Sequence, residues 1–407
     1  MGDAMTKIHL DPYDHAFHED PYPYYKALRD NEPVYYNEER RVWLLTKWED
    51  VRNAFRDFKT FISTGGVALE DNASEVLPYP MFITTDPPDH TRQRHLLAPL
   101  MVPEKLEPLG DYTRRRTIEL LEPHLPTGKF DFVADLAAFL PMDVISNLTG
   151  VPAADRDKVR GWADDLIIRE DKQGDLSERN IQGYMNLAGY FEEHTAKQAA
   201  GALDSDKYGL LGTMVRAEAK GQMDHKEVVG ALILLAIAGN ETTTKLIGNL
   251  AYHLWRNPDQ RRMVVEDPKL IANAVEEVLR LDGSSQIIGR VVARDVEIRG
   301  KVIKAGSRVG LCIISANRDE DKFPNPDKFD ITRASRDHMA FGFGLHSCLG
   351  AALARLEVRV VFEEILKRIP EYEIDPSGLK LAHSPSVRGF TNVPTTFKIP
   401  TDLKTAA

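Results

Sequence analysis

The chain has 407 residues and a net charge of −10, with acidic and basic residues interleaved along its length. That balance disfavours a nucleic-acid binder, which presents a basic field. The two cysteines, Cys312 and Cys348, are too few for a disulfide framework, so a reducing cytoplasmic setting is expected.

Taken in chain order, the N-terminus MGDAMTKIHLDPYDH lacks the apolar core of a signal peptide, so no leader or membrane anchor is expected. PYPYYKALRDN reads as a short helix, and PVYYNEERRVWLLT as a hairpin with polar NEER between two β-rich runs. From Trp48 to Leu281 helical patterns dominate. Pro87-Pro88 breaks the chain before DHTRQRHLLAPL, with Asp89 as the expected N-cap. Further helices are expected at about 103–123, 131–149, 154–169, 178–200 and 208–220. EDKQGDLSERN (170–180) and AGALDSDKYG (200–209) read as surface loops, and no linker, repeat or low-complexity stretch divides the chain.

HKEVVGALILLAIAGNETTTKLIGNLAYHLWRN predicts one long helix, apolar nearly all round in its first half and therefore buried. Its apolar run at 228–239 is too short to span a bilayer. Its middle carries Gly239, Asn240, Glu241 and Thr242, and a buried acid is costly without a task or a partner. PKLIANAVEEVLRL is amphipathic with the helical period. IIGRVVARDVEIRG and KVIKAGSRVGLCIIS are β-rich, and a polar, proline-marked loop then leads to FGFGLHSCLG.

In that last stretch Cys348 stands among Gly342, Gly344 and Gly350, just before a helix beginning CLGAALARLE. Glycines admit unusual backbone angles and close approach of a bulky neighbour. Unpaired N–H groups and the dipole at a helix N-terminus favour a thiolate. The combination points to a metal ligand or a nucleophile. The spacing Phe341-x-x-Gly344-x-His346-x-Cys348-x-Gly350 leading into a helix resembles the haem-binding loop of the cytochrome P450 superfamily, the haem-thiolate monooxygenases.

The resemblance covers essentially the whole chain. It implies a mainly α P450 fold with a smaller β-rich side, as a single domain over residues 1–407, and haem b with Cys348 as axial thiolate ligand. A thiolate ligand pushes electron density onto iron and favours O–O cleavage. Phe341, Gly342, His346 and Gly350 belong to the same loop. His90 and Arg94, one helical turn apart, match the helix that holds a haem propionate, and Arg290 and His346 match further propionate donors. Ala238 and Gly239 match the small residues of the oxygen-binding segment, with Glu241 and Thr242 as its acid–alcohol pair. A Glu241–Lys245 ion pair is the plain alternative for the acid. Thr242 is expected to bond back to the Ala238 carbonyl and bend the helix. Glu277 and Arg280 match the family's structural Glu-x-x-Arg, with Arg333 as the expected later partner.

The implied reaction is insertion of one oxygen atom from O2 into a lipophilic small molecule: a terpenoid, steroid, fatty acid or aromatic. Electrons would come from a separate ferredoxin or flavodoxin, with the enzyme a cytoplasmic monomer. Arg92, Arg355 and Arg359 are the expected docking cations for that acidic partner. Tyr79, Met81, Phe82, Leu234, Ile237, Ile287, Ile288 and Val387 are the expected substrate-pocket residues, below a covering segment FISTGGVALEDNASEVLPYPMFIT. Two rivals differ in mechanism or class. A peroxide-driven peroxygenase would usually lack the acid–alcohol pair, and a haem sensor or carrier would need no electron supply.

Overall fold

Helix α1 (His15–Glu19) is capped by Asp14, whose carboxylate accepts from the Ala16 N–H. The computed structural model describes residues 8–70, 77–199, 209–333 and 336–399. Residues 71–76 of the expected pocket cover, and 200–208 of an expected surface loop, lie outside the described residues. After α2 (Tyr22–Asn31), strands β1 (Val34–Asn37) and β2 (Val42–Leu45) form an antiparallel hairpin from Val34 opposite Leu45 to Asn37 opposite Val42. Next come α3 (Trp48–Arg56) and β3 (Phe61–Ile62).

Helix α4 (Asp89–Leu97) departs from expectation at its start. Pro88 occupies the N-cap and Asp89 is the first helical residue, where its charge complements the helix dipole without a side-chain cap. Helix α5 (Pro103–Leu121) and β4 (Lys129–Asp131) follow. The helix expected at 131–149 is divided. A π-helical stretch, Phe132–Ala137, is capped by the Asp131 carboxylate, and α6 (Leu140–Thr149) begins afresh with Pro141, which has no N–H to continue the earlier ladder, in its first turn. Phe132–Thr149 is long and apolar enough by composition to cross a membrane, yet 67% of it is buried inside the fold. Then come α7 (Arg156–Ile167), α8 (Glu178–Ala199) and α9 (Gly209–Ala219).

The long central helix is also two helices, α10 (His225–Ala238) and α11 (Glu241–Arg256). Asp224 and Glu227 form a reciprocal capping box at the start of α10, and every residue from Glu227 to Ala236 is buried. At the junction the Thr242 hydroxyl donates to the Ala238 carbonyl at 3.0 Å. The Asn240 N–H slips to the Ile237 carbonyl, 3.4 Å away, in place of an i−4 partner. Gly239 permits this turn, since a Cβ there would lie 2.7 Å from the Leu235 carbonyl oxygen and 3.0 Å from Ile145 of α6.

The chain continues through α12 (Pro258–Glu266), α13 (Ile271–Asp282), β5 (Ile287–Val292), β6 (Val296–Ile298), β7 (Lys301–Ile303), β8 (Arg308–Cys312) and α14 (Ile313–Ala316). It closes with α15 (Ala351–Arg368), β9 (Tyr372–Ile374), β10 (Lys380–Leu381), β11 (Phe390–Asn392) and β12 (Pro394–Phe397). The larger sheet has the order β1-β2-β8-β5-β3, antiparallel except for the parallel β2–β8 pair. The largest apolar cluster joins α10, α11, α13 and α15, and two smaller clusters lie against the sheet.

One polar knot sits inside this apolar frame. Arg280 is fully buried, bonded to Glu277 at 2.7 and 2.9 Å and to the carbonyls of Asn317, Pro326 and Lys328. Glu277 also accepts from the Asp330 N–H at 3.0 Å and from Arg333 Nε at 3.2 Å. Removing one member of a buried pair strands the other charge, which typically costs about 3–5 kcal/mol. Arg280→Ala is therefore expected to lower unfolding stability by about that much in urea titration. A loss under ~1 kcal/mol would show that this knot does not hold the long 317–333 loop.

Candidate functional site

A cavity lies between the α10–α11 break on one side and residues 340–354 on the other. The glycine-rich loop reaches it by left-handed backbone at Gly342 (φ 66°) and Gly344 (φ 73°). A Cβ on Gly344 would sit 2.9 Å from the Phe55 carbonyl oxygen, so that position admits glycine alone. The Cys348 N–H donates to the Phe341 carbonyl at 2.8 Å and closes the loop. Gly350 caps α15 with an ordinary φ of −84°, and a Cβ there would lie 3.9 Å from the Cys348 sulfur, so the chain's own geometry does not require glycine at this position.

Cys348 is exposed only towards the cavity and lies deep in the molecule. Burial pushes its thiol pKa up, while the Gly350 N–H and the charges of Arg94 and Arg355 pull it down. A sulfur so placed suits metal coordination, which deprotonates a thiol outright. Cys312 is different: it is buried in the sheet beside Tyr25 and away from the cavity.

Four donors line one end of the same cavity: His90 and Arg94 from α4, Arg290 from β5 and His346 from the cysteine loop. Both ring nitrogens of His90 are buried without a partner. Among the described residues, Arg94 donates to the Ser347 hydroxyl at 3.4 Å, and Arg290 to its neighbour Gly289's carbonyl at 2.7 Å while lying over the Phe55 ring. His346 Nε2 meets the Ser63 hydroxyl at 3.1 Å. Burial drives all four towards their neutral forms. His90 falls to about 4 and His346 to about 3, each pushed further by neighbouring positive charge, and Arg290 falls to about 10. The nearby carboxylate, Asp86, is held by the Ser63 and Thr64 N–H groups. Orphaned donors and two buried guanidinium groups, with Asp86 as the nearby carboxylate, leave room for a further anion in this corner. A group carrying two carboxylates beside an apolar body, as haem does, fits this end of the cavity and the sulfur across from it.

Ala238, Gly239, Thr242 and Thr243 line the opposite wall. Glu241 does not. It turns away from the cavity, pairs with Lys245 at 3.1 Å with both side chains buried, and faces Asp164 of α7. The ion pair considered from the sequence is thus present, and it is internal. Burial, then the Glu241 charge, pushes the Asp164 carboxyl well above the usual range. Thr243, one residue beyond Thr242, shares the cavity wall despite its different direction on the helix.

Of the expected pocket residues, Phe82, Leu234 and Ile288 line the cavity. Five do not. Ile287 is fully buried in the sheet core, because successive strand residues point to opposite faces and Ile288 takes the cavity side. Val387 bridges to Ser285 through its backbone. Tyr79 is held by Tyr184 and by Glu192. Met81 and Ile237 pack on the main apolar cluster. Ile83, Ile145, Leu235, Ser284 and Ser285 line the cavity in their place. Asp164 and Glu357 were not singled out from the sequence. Glu357 lines the cavity, is wholly buried, and burial pushes it well above its ordinary value. Its place four residues after the buried Leu353 put it on the inward face of α15.

The three docking cations are already engaged by carboxylates of this chain. Arg92 pairs with Glu227, Arg355 with Glu276 at 2.5 Å, and Arg359 with Glu363 at 2.5 Å. Arg355 also lies over the Phe341 ring at 4.5 Å. Their positive field is therefore largely cancelled locally, which corrects the reading of them as free steering charges.

The family model described as cytochrome P450 matches residues 178–399. Cytochrome P450 123 of Mycobacterium tuberculosis is 39% identical, covering 97% of this chain and 98% of that protein. The vitamin D(3) 25-hydroxylase of Pseudonocardia autotrophica is 38% identical over 95% and 96%. Among solved structures, CYP109E1 from Bacillus megaterium in complex with testosterone superposes with a TM-score of 0.87 at 30% identity, covering 93% of this chain and 98% of that one.

Two outcomes follow from the charges. Losing one charge-assisted hydrogen bond costs roughly 1.5–3 kcal/mol, so Arg94→Ala and Arg290→Ala should each release haem about ten- to a hundredfold faster in a transfer assay. Unchanged release in both would remove them as anion holders. Burial alone would raise the Glu276 pKa from its ordinary 4.5, but His338 and Arg355 outweigh it and bring it to about 2. Its stabilising contribution is thus full above pH 4.5 and is lost as pH falls towards 2. Glu276→Gln should unfold less steeply with acid across that window, read by far-UV circular dichroism.

Proposed function

Because the chain belongs to the cytochrome P450 family of monooxygenases, we propose that it oxygenates a lipophilic small molecule with Cys348 as the axial ligand of haem. The observation that carries this is the shared cavity: Cys348, the anion-seeking donors and the Ala238–Thr242 turn all open onto it. Bound haem would supply activation of O2 and transfer of one oxygen atom, a thiolate ligand favouring O–O cleavage. Electrons come from a separate ferredoxin or flavodoxin.

The chain's own residues perform the remaining tasks. Arg94, Arg290, His90 and His346 bind and orient the carboxylates. Phe82, Leu234 and Ile288 keep their part of the cavity apolar, which suits a steroid, terpenoid, fatty acid or aromatic. Ser284 and Ser285 add hydroxyls that can orient one polar group. The testosterone complex and the vitamin D(3) hydroxylase among the similar proteins favour the large lipophilic end of that range.

Thr242 holds a proton on Oγ1, directed at the Ala238 carbonyl. Behind it, burial and then the Glu241 charge push the Asp164 carboxyl up to about 8, so Asp164 retains a proton near neutrality. Lys245 compensates the remaining charge. Asp164 thus joins Glu241 as a proton store on the side of the helix away from the cavity.

Cys348→Ala should abolish the thiolate-type optical band of the ferrous carbon monoxide complex, whereas Cys312→Ala should keep it. Retention of that band in Cys348→Ala would overturn the assignment. With a surrogate ferredoxin system, Thr242→Ala should retain substrate binding and NADPH oxidation but divert electrons to hydrogen peroxide, and Thr242→Ser should restore coupling. Glu241→Gln should slow turnover, within the ~10²–10⁴-fold range of general acid–base catalysis, and Asp164→Asn should slow it less. Full coupling in Thr242→Ala would place the proton donor elsewhere. Substrate-independent NADPH consumption with every lipophilic compound tried would favour a haem carrier.

A further inference from the structure

Outside the cavity lining, three histidines meet where distant parts of the chain converge. His15 and His18 belong to α1, and His383 lies between β10 and β11. One ring nitrogen from each lies within 4.8 Å of the other two.

The hydrogen bonds determine which nitrogen each ring offers. His15 Nε2 meets the Arg169 carbonyl at 3.1 Å, His18 Nε2 meets the Pro12 carbonyl at 2.8 Å, and His383 Nε2 faces the Glu19 carboxylate at 3.4 Å. Carbonyl oxygens only accept, so in the neutral rings of His15 and His18 Nε2 carries the hydrogen and Nδ1 keeps the lone pair, and the Glu19 carboxylate beside His383 Nε2 favours the same tautomer there. His18 is 2% exposed, and the Nδ1 atoms of His18 and His383 are buried with no partner. The His15 and His383 rings stack with centroids 3.8 Å apart. Two buried ring nitrogens without a donor, beside a third half-buried histidine, are costly unless a cation sits among them. An Nε2–H held by a carbonyl or carboxylate is also the arrangement that orients histidines for metal ligation.

We propose that His15, His18 and His383 bind a divalent transition-metal ion, Zn2+ foremost, through their Nδ1 atoms. Imidazole sets select such ions over Mg2+ and Ca2+, which take oxygen ligands. A tetrahedral Zn2+ with Zn–N near 2.0–2.1 Å would bring the nitrogens from within 4.8 Å to about 3.4 Å apart and turn the His15 and His383 rings out of their stack so that both lone pairs meet at the ion, with water at the fourth position. The ion would act as a clamp. The His383 carbonyl accepts from the Arg169 N–H at 3.1 Å, and the His15 N–H donates to Asp171 at 2.9 Å. One ion therefore ties α1, the segment after α7 and the β10–β11 loop together. Four residues on, that loop's Val387 pairs with Ser285 of the cavity wall.

The test uses the tag-free, haem-loaded full chain, stripped with a chelator and then given Zn2+ alone. Wild type should retain one equivalent of zinc through gel filtration, and its unfolding temperature should rise with added Zn2+. His15→Phe and His383→Phe keep a ring for the stack but remove the lone pair. Each should bind zinc at least tenfold more weakly in competition with a chromophoric chelator and lose the thermal shift. His124→Phe, outside the cluster, should behave as wild type. No retained zinc in wild type, wild-type affinity in either cluster variant, or an equal loss in His124→Phe would overturn the proposal.

Discussion

The Arg280 guanidinium is the constraint on which the site depends. It has no exposed surface and gives its donors to Glu277 and to the carbonyls of Asn317, Pro326 and Lys328 in the loop that follows α14. That loop has little regular structure, so its polar backbone needs partners from outside itself. Glu277 extends the same knot to Asp330 and Arg333. The side chain of Asn317, whose carbonyl Arg280 binds, accepts from the Met339 N–H at 2.7 Å, two residues before the cysteine loop begins. A buried ion pair on α13 thereby sets where Cys348 stands relative to β5 and Arg290.

The cavity inverts the usual economy of a protein interior. Apolar residues fill most of the core, yet His90, Arg94, Arg290 and His346 bring positive or potentially positive groups to one corner with little internal compensation. Such a corner is tolerable because its counter-charge arrives with a ligand. Across the cavity the chain gives up a continuous helix for a similar reason. The Thr242 hydroxyl takes a carbonyl the backbone would otherwise use, and Gly239 removes the side chain that would collide with Ile145. The resulting turn separates two facing tasks. Thr242 faces the cavity, while Glu241, one residue away, is directed to Lys245 and Asp164.

The two ends of the chain are also joined to the substrate side. Arg388, five residues past His383, bonds the His18 carbonyl, the Tyr22 hydroxyl and Asp282 at the end of α13. Asp282 in turn meets His253 of α11 at 3.1 Å. The N-terminal helices, the C-terminal loop and the helix carrying Thr242 thus belong to one polar network. Its bonds lie behind the cavity wall and take no part in lining it.

The chain's local chemistry was legible wherever a residue's role depends on near neighbours. The glycine-rich approach to Cys348, the His90–Arg94 spacing, the Glu277–Arg280 pair and the bond from Thr242 to Ala238 all lie within a turn or a short loop. Their spacing is local, so the resemblance to the cytochrome P450 family could mark them residue by residue. Boundaries were less legible. Asp89 entered the helix because Pro88, with its fixed φ, took the cap, and Pro141 divided a helix that hydropathy alone runs together. Facing was decided by tertiary structure alone. Strand pleating put Ile288 on the cavity and Ile287 in the core, and Glu241 turned inward to a partner some 77 positions earlier. The meeting of His15 and His18 with His383 belongs to the same class. Nothing within a few residues of any of them records the encounter, because the partners are joined only by the path of the folded backbone.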